Sequence, residues 1–250
     1  MQLRDSVALV TGSSRGIGLA VAHRLRSRGA RVILHGRDVA ALAGLAAEVG
    51  AGFLAADLAE PAAAADLAER ALAEYGRVDV VVHSAGVGWF GRFAEMPVQR
   101  LDRVLRLDLQ APMELTRALL PAMLERGRGH VSFVGSIAGL TGVANEAAYS
   151  AAKAGLIAFA DSVRLELAAS AITVSTVNPG AVATGFFAER GADYDRAVPR
   201  PVPAQRVADV IVHAIENDRP RAVVPRWLAL APAVRAVAPA TYDALARRLG

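Results

Sequence analysis

Short β-branched runs alternate with long alanine-rich segments along the chain, and that alternation restricts the fold more than any other feature. Strands are expected over residues 7–10, 31–35, 52–56, 78–83, 130–134 and 172–177, with a short seventh at 222–224. Helices are expected over residues 17–27, 39–49, 61–75, 97–124, 147–168 and 204–217. Pro61 and Pro97 stand where a first helical turn accepts proline, and Gly29, Gly50 and Gly76 stand where helices stop. Strand–helix alternation requires right-handed crossovers, hence a parallel sheet covered on both faces. With 250 residues and no repeat or linker, residues 1–250 are expected to form one doubly wound α/β domain, a seven-stranded parallel sheet flanked by helices. Ligands of such a sheet bind beyond the carboxyl ends of its strands.

Composition removes several classes of function. Hydrophobic residues make up 54% of the chain, but many are alanine, and no uncharged apolar stretch reaches the length of a spanning helix. Met1 runs into the first strand with no room for a secretory signal, so a soluble, cytoplasmic protein is expected. The absence of cysteine excludes disulfides, thiolate metal sites and cysteine nucleophiles, and no metal is expected. A net charge of +4, with arginines scattered among acids except at 196–206 and the C-terminus, argues against nucleic acid as a partner.

The first strand ends in Thr11-Gly12-Ser13-Ser14-Arg15-Gly16-Ile17-Gly18, and a helix follows. Glycines at such a turn let the backbone approach a pyrophosphate, and the N–H groups of the helix start bind its charge. Gly12, Ser14, Arg15, Gly16, Ile17 and Gly18 are therefore cofactor-binding candidates. The second strand ends His35-Gly36-Arg37, without the acid that would accept from a free ribose 2′-hydroxyl. Arg37, with Arg15 as a second cation, suits a 2′-phosphate and points to NADP(H).

Among 28 Lys and Arg residues Lys153 is the only lysine, four residues after Tyr149 in Tyr149-Ser150-Ala151-Ala152-Lys153. On a helix these two share a face. An ammonium is a compact charge with three rotatable donors, whereas a guanidinium is planar. A cation beside a phenol favours the phenolate, so Tyr149 reads as an acid–base group and Lys153 as the cation that tunes it. The plain alternative is a surface helix with one surviving lysine.

Together these motifs resemble the short-chain dehydrogenase/reductase family over residues 6–190. Thr11 to Gly18 resembles the family's glycine turn, and Asp57-Leu58 the pair that contacts adenine. His83-Ser84-Ala85-Gly86 occupies the place of the family's Asn-Asn-Ala-Gly, which adds Ser84, Ala85 and Gly86 to the cofactor site. Ser136 lies 13 residues before Tyr149, and Asn178-Pro179-Gly180 with Val182 and Thr184 resembles the segment that holds the nicotinamide carboxamide. The resemblance implies a Rossmann-type fold and hydride transfer. In it Ser136 binds the substrate oxygen, Tyr149 acts as general acid/base, and Lys153 binds the nicotinamide ribose while lowering the Tyr149 pKa. It also implies a homodimer or homotetramer paired through the two long helices.

The chain departs from that pattern in three places. Asp108 stands where the family has an asparagine that holds a proton-relay water; it keeps the size and an acceptor but loses the amide donor. It is carried as a fourth catalytic candidate that holds a water or retunes Lys153. His83 and Ser84 replace two asparagines, a change expected to be tolerated. Residues 225–250 replace the usual C-terminal segment, which argues against a β-ketoacyl reductase. Their apolar residues, with Arg226, Arg235, Arg247 and Arg248, suit closure of the substrate pocket or packing on a partner more than a membrane surface.

Substrate selection is expected from loops at 87–93, 140–148 and 183–202, which offer Trp89, Phe90, Phe93, Phe186, Phe187 and Tyr194, with Asn145 and Glu146 as polar contacts. An apolar pocket suits a lipophilic ketone, aldehyde or secondary alcohol. Two other classes stay open: a non-catalytic NADP(H)-sensing protein, and an epimerase or dehydratase that keeps its cofactor.

Overall fold

The β-branched runs pair as the alternation requires. A computed structural model describes residues 1–195 and 198–249. Arg196 lies outside the described residues, and the Arg247 and Arg248 side chains are not described either. In chain order the first half forms β1 (Val7–Val10), α1 (Gly16–Ser27), β2 (Arg31–Gly36), α2 (Val39–Val49), β3 (Gly52–Ala55), α3 (Ala63–Tyr75) and β4 (Val80–His83). The middle adds α4 (Val98–Leu105), α5 (Ala111–Glu125), β5 (Gly129–Val134), α6 (Ile137–Thr141), α7 (Ala147–Glu166) and β6 (Ile172–Pro179). Then come β7 (Val182–Ala183), α8 (Phe186–Glu189), β8 (Val202–Pro203), α9 (Ala204–Glu216), β9 (Arg221–Val224), α10 (Leu230–Val237) and α11 (Pro239–Leu249).

Seven strands make one parallel sheet in the order β3-β2-β1-β4-β5-β6-β9, while β7 and β8 form a separate small pair. Every residue of β1, β4 and β5 is buried, as strands covered on both faces must be. Successive residues of β1 serve opposite sides. Ala8 and Val10 join a core with Leu25, Leu42 and Ile211, whereas Val7 and Leu9 join Leu67, Leu115 and Leu156. The strand order reverses at β1, which has β2 on one side and β4 on the other, and a crevice opens at their carboxyl ends.

Two expected helices differ from the sequence reading. An Asx turn at Asp57, with Ala59 N–H donating to Oδ1 at 3.0 Å, occupies the residues before α3, and Ala62 is left-handed (φ 63°). The helix therefore starts at Ala63, beyond Pro61. The helix expected over 97–124 is interrupted by one wide turn of π geometry, Arg106–Gln110. Pro112 has no N–H for the carbonyl of Asp108, four residues back, and its ring crowds that carbonyl. The turn widens there, and Asp108 lies within it.

Three histidines lie buried in or beside the sheet and neutral. His83 Nε2 is 2.9 Å from Thr116 Oγ1, and its ring stacks on Phe133, so the expected tolerance at this position has a partner behind it. His130 lies 2.7 Å from Thr173 Oγ1 and 2.8 Å from Ser175 Oγ. His35 Nδ1 accepts from Gly12 N–H. Burial lowers their pKa values to about 4 for His35 and about 3 for His83 and His130. Between those values and the ordinary 6.5 the unfolded chain binds more protons, so stability falls as pH falls through that window. Going from pH 7 to pH 5 is expected to cost about 2 kcal/mol per histidine. Asp108, whose pKa burial raises, offsets part of this loss. Urea midpoints at the two pH values measure it; equal midpoints would show that the folded protein takes up these protons.

Candidate active site and cofactor cleft

Thr11 fixes the glycine turn to the end of β4. Its N–H donates to Val82 O at 2.9 Å, and its Oγ1 accepts from Ser84 and Ala85 N–H at 3.1 Å each. Gly12 is left-handed (φ 64°), and a Cβ there would stand 2.6 Å from Ala85 Cα, so both conformation and space require glycine. Helix α1 then starts with no side-chain cap and no acid in its first turn. Gly16, Ile17 and Gly18, which open that helix, line the cleft. Their N–H groups make an anion site that fits a dinucleotide's phosphates.

The far end of the cleft is basic. Arg37 is exposed, 3.8 Å from Asp57 Oδ2, while Arg103 of α4 reaches the same oxygen at 3.1 Å. Burial works to raise the Asp57 pKa, but Ala59 N–H, Arg103 and Arg37 outweigh it and hold the carboxyl below its ordinary value. Leu58 beside it is buried. Arg15 forms an exposed ion pair with Glu189 at the end of α8, which ties the glycine turn to the segment that follows β7.

At the sheet's carboxyl end Ser136 follows β5, and Tyr149 and Lys153 occupy successive turns of α7. Ser136 hydrogen-bonds the Tyr149 side chain, and its Oγ accepts from Ala138 N–H at 3.1 Å. Lys153 is buried, donates to Val134 O at 3.1 Å and stands 3.0 Å from Asp108 Oδ1, although the angle there falls short of a hydrogen bond. Asp108 Oδ2 accepts from Val87 N–H at 2.9 Å. Burial pushes the Asp108 carboxyl up, and Lys153 and Val87 N–H pull it back. One carboxylate oxygen thus accepts a hydrogen bond while the other faces the ammonium, and an asparagine has only one oxygen to offer.

Tyr149 departs from the sequence reading. Burial first, then the Asp108 charge, push its phenol above the ordinary value, and the Ser136 hydrogen bond opposes them. Lys153 Nζ lies 5.7 Å from the ring centroid, with its charge met by Asp108. A lowered phenol was expected; this geometry raises it.

Phe186 packs on Tyr149 with centroids 5.3 Å apart, and Phe187 and Tyr194 continue the aromatic wall. Trp89, Phe90 and Phe93 do not line the cleft: Phe93 is exposed and Phe90 stacks under Arg190. Glu146 lines it and pairs with Arg190. Gly180 donates to Val224 O at 2.7 Å and packs against Leu228. Among the described residues, none of the segment after 225 lines the cleft, and α10 instead bonds α6 through Arg235 Nη1 to Leu140 O at 3.1 Å.

Every residue the sequence marked as catalytic or cofactor-binding lines this one cleft, Pro179, Gly180, Val182 and Thr184 among them, with Thr184 beside Gly16 of the glycine turn. Sequence reasoning missed Arg103, Glu189 and Arg190, for which no motif or period gives a signal.

A family profile described as short chain dehydrogenase matches residues 6–195. The ketoacyl reductase HetN of Nostoc sp. is 32% identical, with 99% of this chain and 90% of that protein covered. Among solved structures, a metagenomic short-chain oxidoreductase in complex with NADP is 36% identical, with a TM-score of 0.76 and 89% and 96% of the two chains covered. A short-chain dehydrogenase from Sphingobium yanoikuyae in complex with NADPH is 28% identical, with a TM-score of 0.82 and 93% and 94% covered.

Proposed function

The chain belongs to the short-chain dehydrogenase family, and on that premise we propose that it is an NADP(H)-dependent oxidoreductase that interconverts a carbonyl and a secondary or primary alcohol on a lipophilic small molecule. The observation that carries this reading is the meeting of Ser136, Tyr149 and Lys153 in the cleft that also holds the uncapped start of α1. Relatives bound to NADP and NADPH, and one named a ketoacyl reductase, support the cofactor and the reaction class. The relative named a ketoacyl reductase aligns over 99% of this chain, so the form of residues 225–250 does not by itself exclude ketoacyl substrates.

In reduction, Ser136 hydrogen-bonds the substrate oxygen and the Tyr149 hydroxyl gives that oxygen its proton; in oxidation Tyr149 takes the proton back. NADPH, when bound, supplies the hydride. The glycine turn would hold its pyrophosphate, Arg37 and Arg15 its 2′-phosphate, and Asp57 with Leu58 its adenine. Ser84, Ala85 and Gly86 would line its path, the Pro179 to Thr184 segment would hold the nicotinamide carboxamide, and Lys153 would bind the nicotinamide ribose. Residues 183–202 serve as the substrate loop of a single domain. Pairing of two copies through α4, α5 and α7 is supported by the exposed Val98, Met113, Leu124 and Leu165 on those helices. A cytoplasmic location completes the reading; no helix of the described residues is long and apolar enough to cross a membrane.

Loss of NADPH absorbance over a panel of lipophilic aldehydes and ketones tests this reading, and turnover is expected. NADPH binding with no turnover of any member would favour the sensing alternative. Arg37→Ala is expected to raise the NADPH dissociation constant about tenfold or more and to leave that for NADH nearly unchanged, since a charge-assisted hydrogen bond contributes about 1.5–3 kcal/mol. Equal changes for both cofactors would remove Arg37 from the phosphate site.

A further inference from the structure

The substrate end of the cleft contains a charge pair that the catalytic chemistry does not use. Glu146 directly precedes α7, and Arg190 directly follows α8. Their side chains are 10% and 5% exposed and form an ion pair. The guanidinium lies 4.7 Å from the ring centroids of both Phe90 and Phe187, and its Nε donates to Ala192 O at 3.3 Å. Phe187 touches Phe186, which touches Tyr149, so this cation stands two rings away from the acid–base group. The two charges act on the Tyr149 hydroxyl in opposite senses, Glu146 raising its pKa and Arg190 lowering it.

We propose that the Glu146–Arg190 pair determines substrate specificity by making the pocket reject carbonyl compounds that carry a carboxylate. This deepens the reductase reading and rests on it for the identity of the pocket. An entering carboxylate gives up its water, faces the charge of Glu146 and finds the nearby guanidinium already engaged. A neutral compound gives up less hydration on entry and can pack on the aromatic faces of Phe186 and Phe187. Removing the charge of Glu146 alone reverses the preference, because a buried guanidinium without its anion needs another, and a carboxylate matches its donor geometry.

The probes are 4-formylbenzoate and its neutral methyl ester, compared by kcat/KM with NADPH, and benzoate against benzamide, compared by calorimetric binding to the NADP-loaded protein. The unaltered protein is expected to favour the neutral member of each pair by about tenfold or more. Glu146→Gln is expected to move both ratios toward the anion by at least about tenfold, and Glu146→Gln with Arg190→Met to lose that gain. A preference already even in the unaltered protein overturns the proposal without any variant, so it survives poor folding of Glu146→Gln. Turnover of both aldehydes in a ratio that Glu146→Gln leaves unchanged also overturns it. A shifted benzoate ratio without turnover of either aldehyde, or of any member of the carbonyl panel, would uphold the pair's role and count against the reductase reading instead.

Discussion

Tyr149→Phe is expected to lower turnover by about 10²- to 10⁴-fold while leaving NADPH affinity close to that of the unaltered protein. The substitution removes one hydroxyl and keeps the ring, whose packing on Phe186 at 5.3 Å does not depend on that oxygen. Lys153 keeps both its contacts, to Val134 O and to Asp108, so the cofactor side of the cleft is unchanged. Ser136 still polarises a substrate carbonyl, but no group remains at the phenol position to give that oxygen a proton. Burial raises the phenol's pKa, so at neutral pH the protonated form is present and ready to donate. Single-turnover NADPH oxidation with a titration of NADPH binding separates the two effects. A residual rate above a tenth of the original would remove Tyr149 from the proton transfer, and an equal loss of affinity would show a structural role.

The sheet and the site were legible for the same reason. Strands buried on both faces need continuous β-branched runs, and the candidate site residues sit at fixed places relative to the ends of those runs. Gly12, Ser136 and Pro179 follow or end β1, β5 and β6, so locating the strands also located the cleft. Other parts left no periodic trace. The wide turn around Asp108 depends on one missing N–H at Pro112, inside a segment whose apolar spacing reads as a continuous helix. α6, α8 and the β7–β8 pair are too short for a period to show. Arg103 meets Asp57 across 46 positions of sequence, Arg190 meets Glu146 across 44, and Arg15 meets Glu189 across 174. Such charge pairs arise from the crossovers, which no local pattern reports. The aromatic loops were half legible: composition marked six rings, and loop geometry turned Phe186, Phe187 and Tyr194 toward the cleft.

Asp108→Asn is expected to shift the pH profile of alcohol oxidation toward lower pH and to raise the rate at pH 7 by about tenfold. In that direction Tyr149 must take a proton, so a lower phenol pKa gives more of the reactive form at a fixed pH below it. The Asp108 charge holds that pKa up, second only to burial, and it also occupies the Lys153 ammonium at 3.0 Å. A unit charge several ångströms away, at an effective dielectric near 20, contributes roughly 2–4 kcal/mol. Part of that gain is lost because a weaker base takes protons less readily, which leaves about tenfold. Asparagine keeps the size of the side chain and can still accept from Val87 N–H, so the wide turn has no steric reason to change. Its amide then points a donor toward Lys153, which frees the ammonium to act on the phenol. Sign decides the outcome: a limb moved to lower pH assigns Asp108 as the group that holds Tyr149 protonated. A limb left in place, with any change of rate equal at every pH, would mean that the carboxylate only positions Lys153, and a limb moved to higher pH would overturn the assignment.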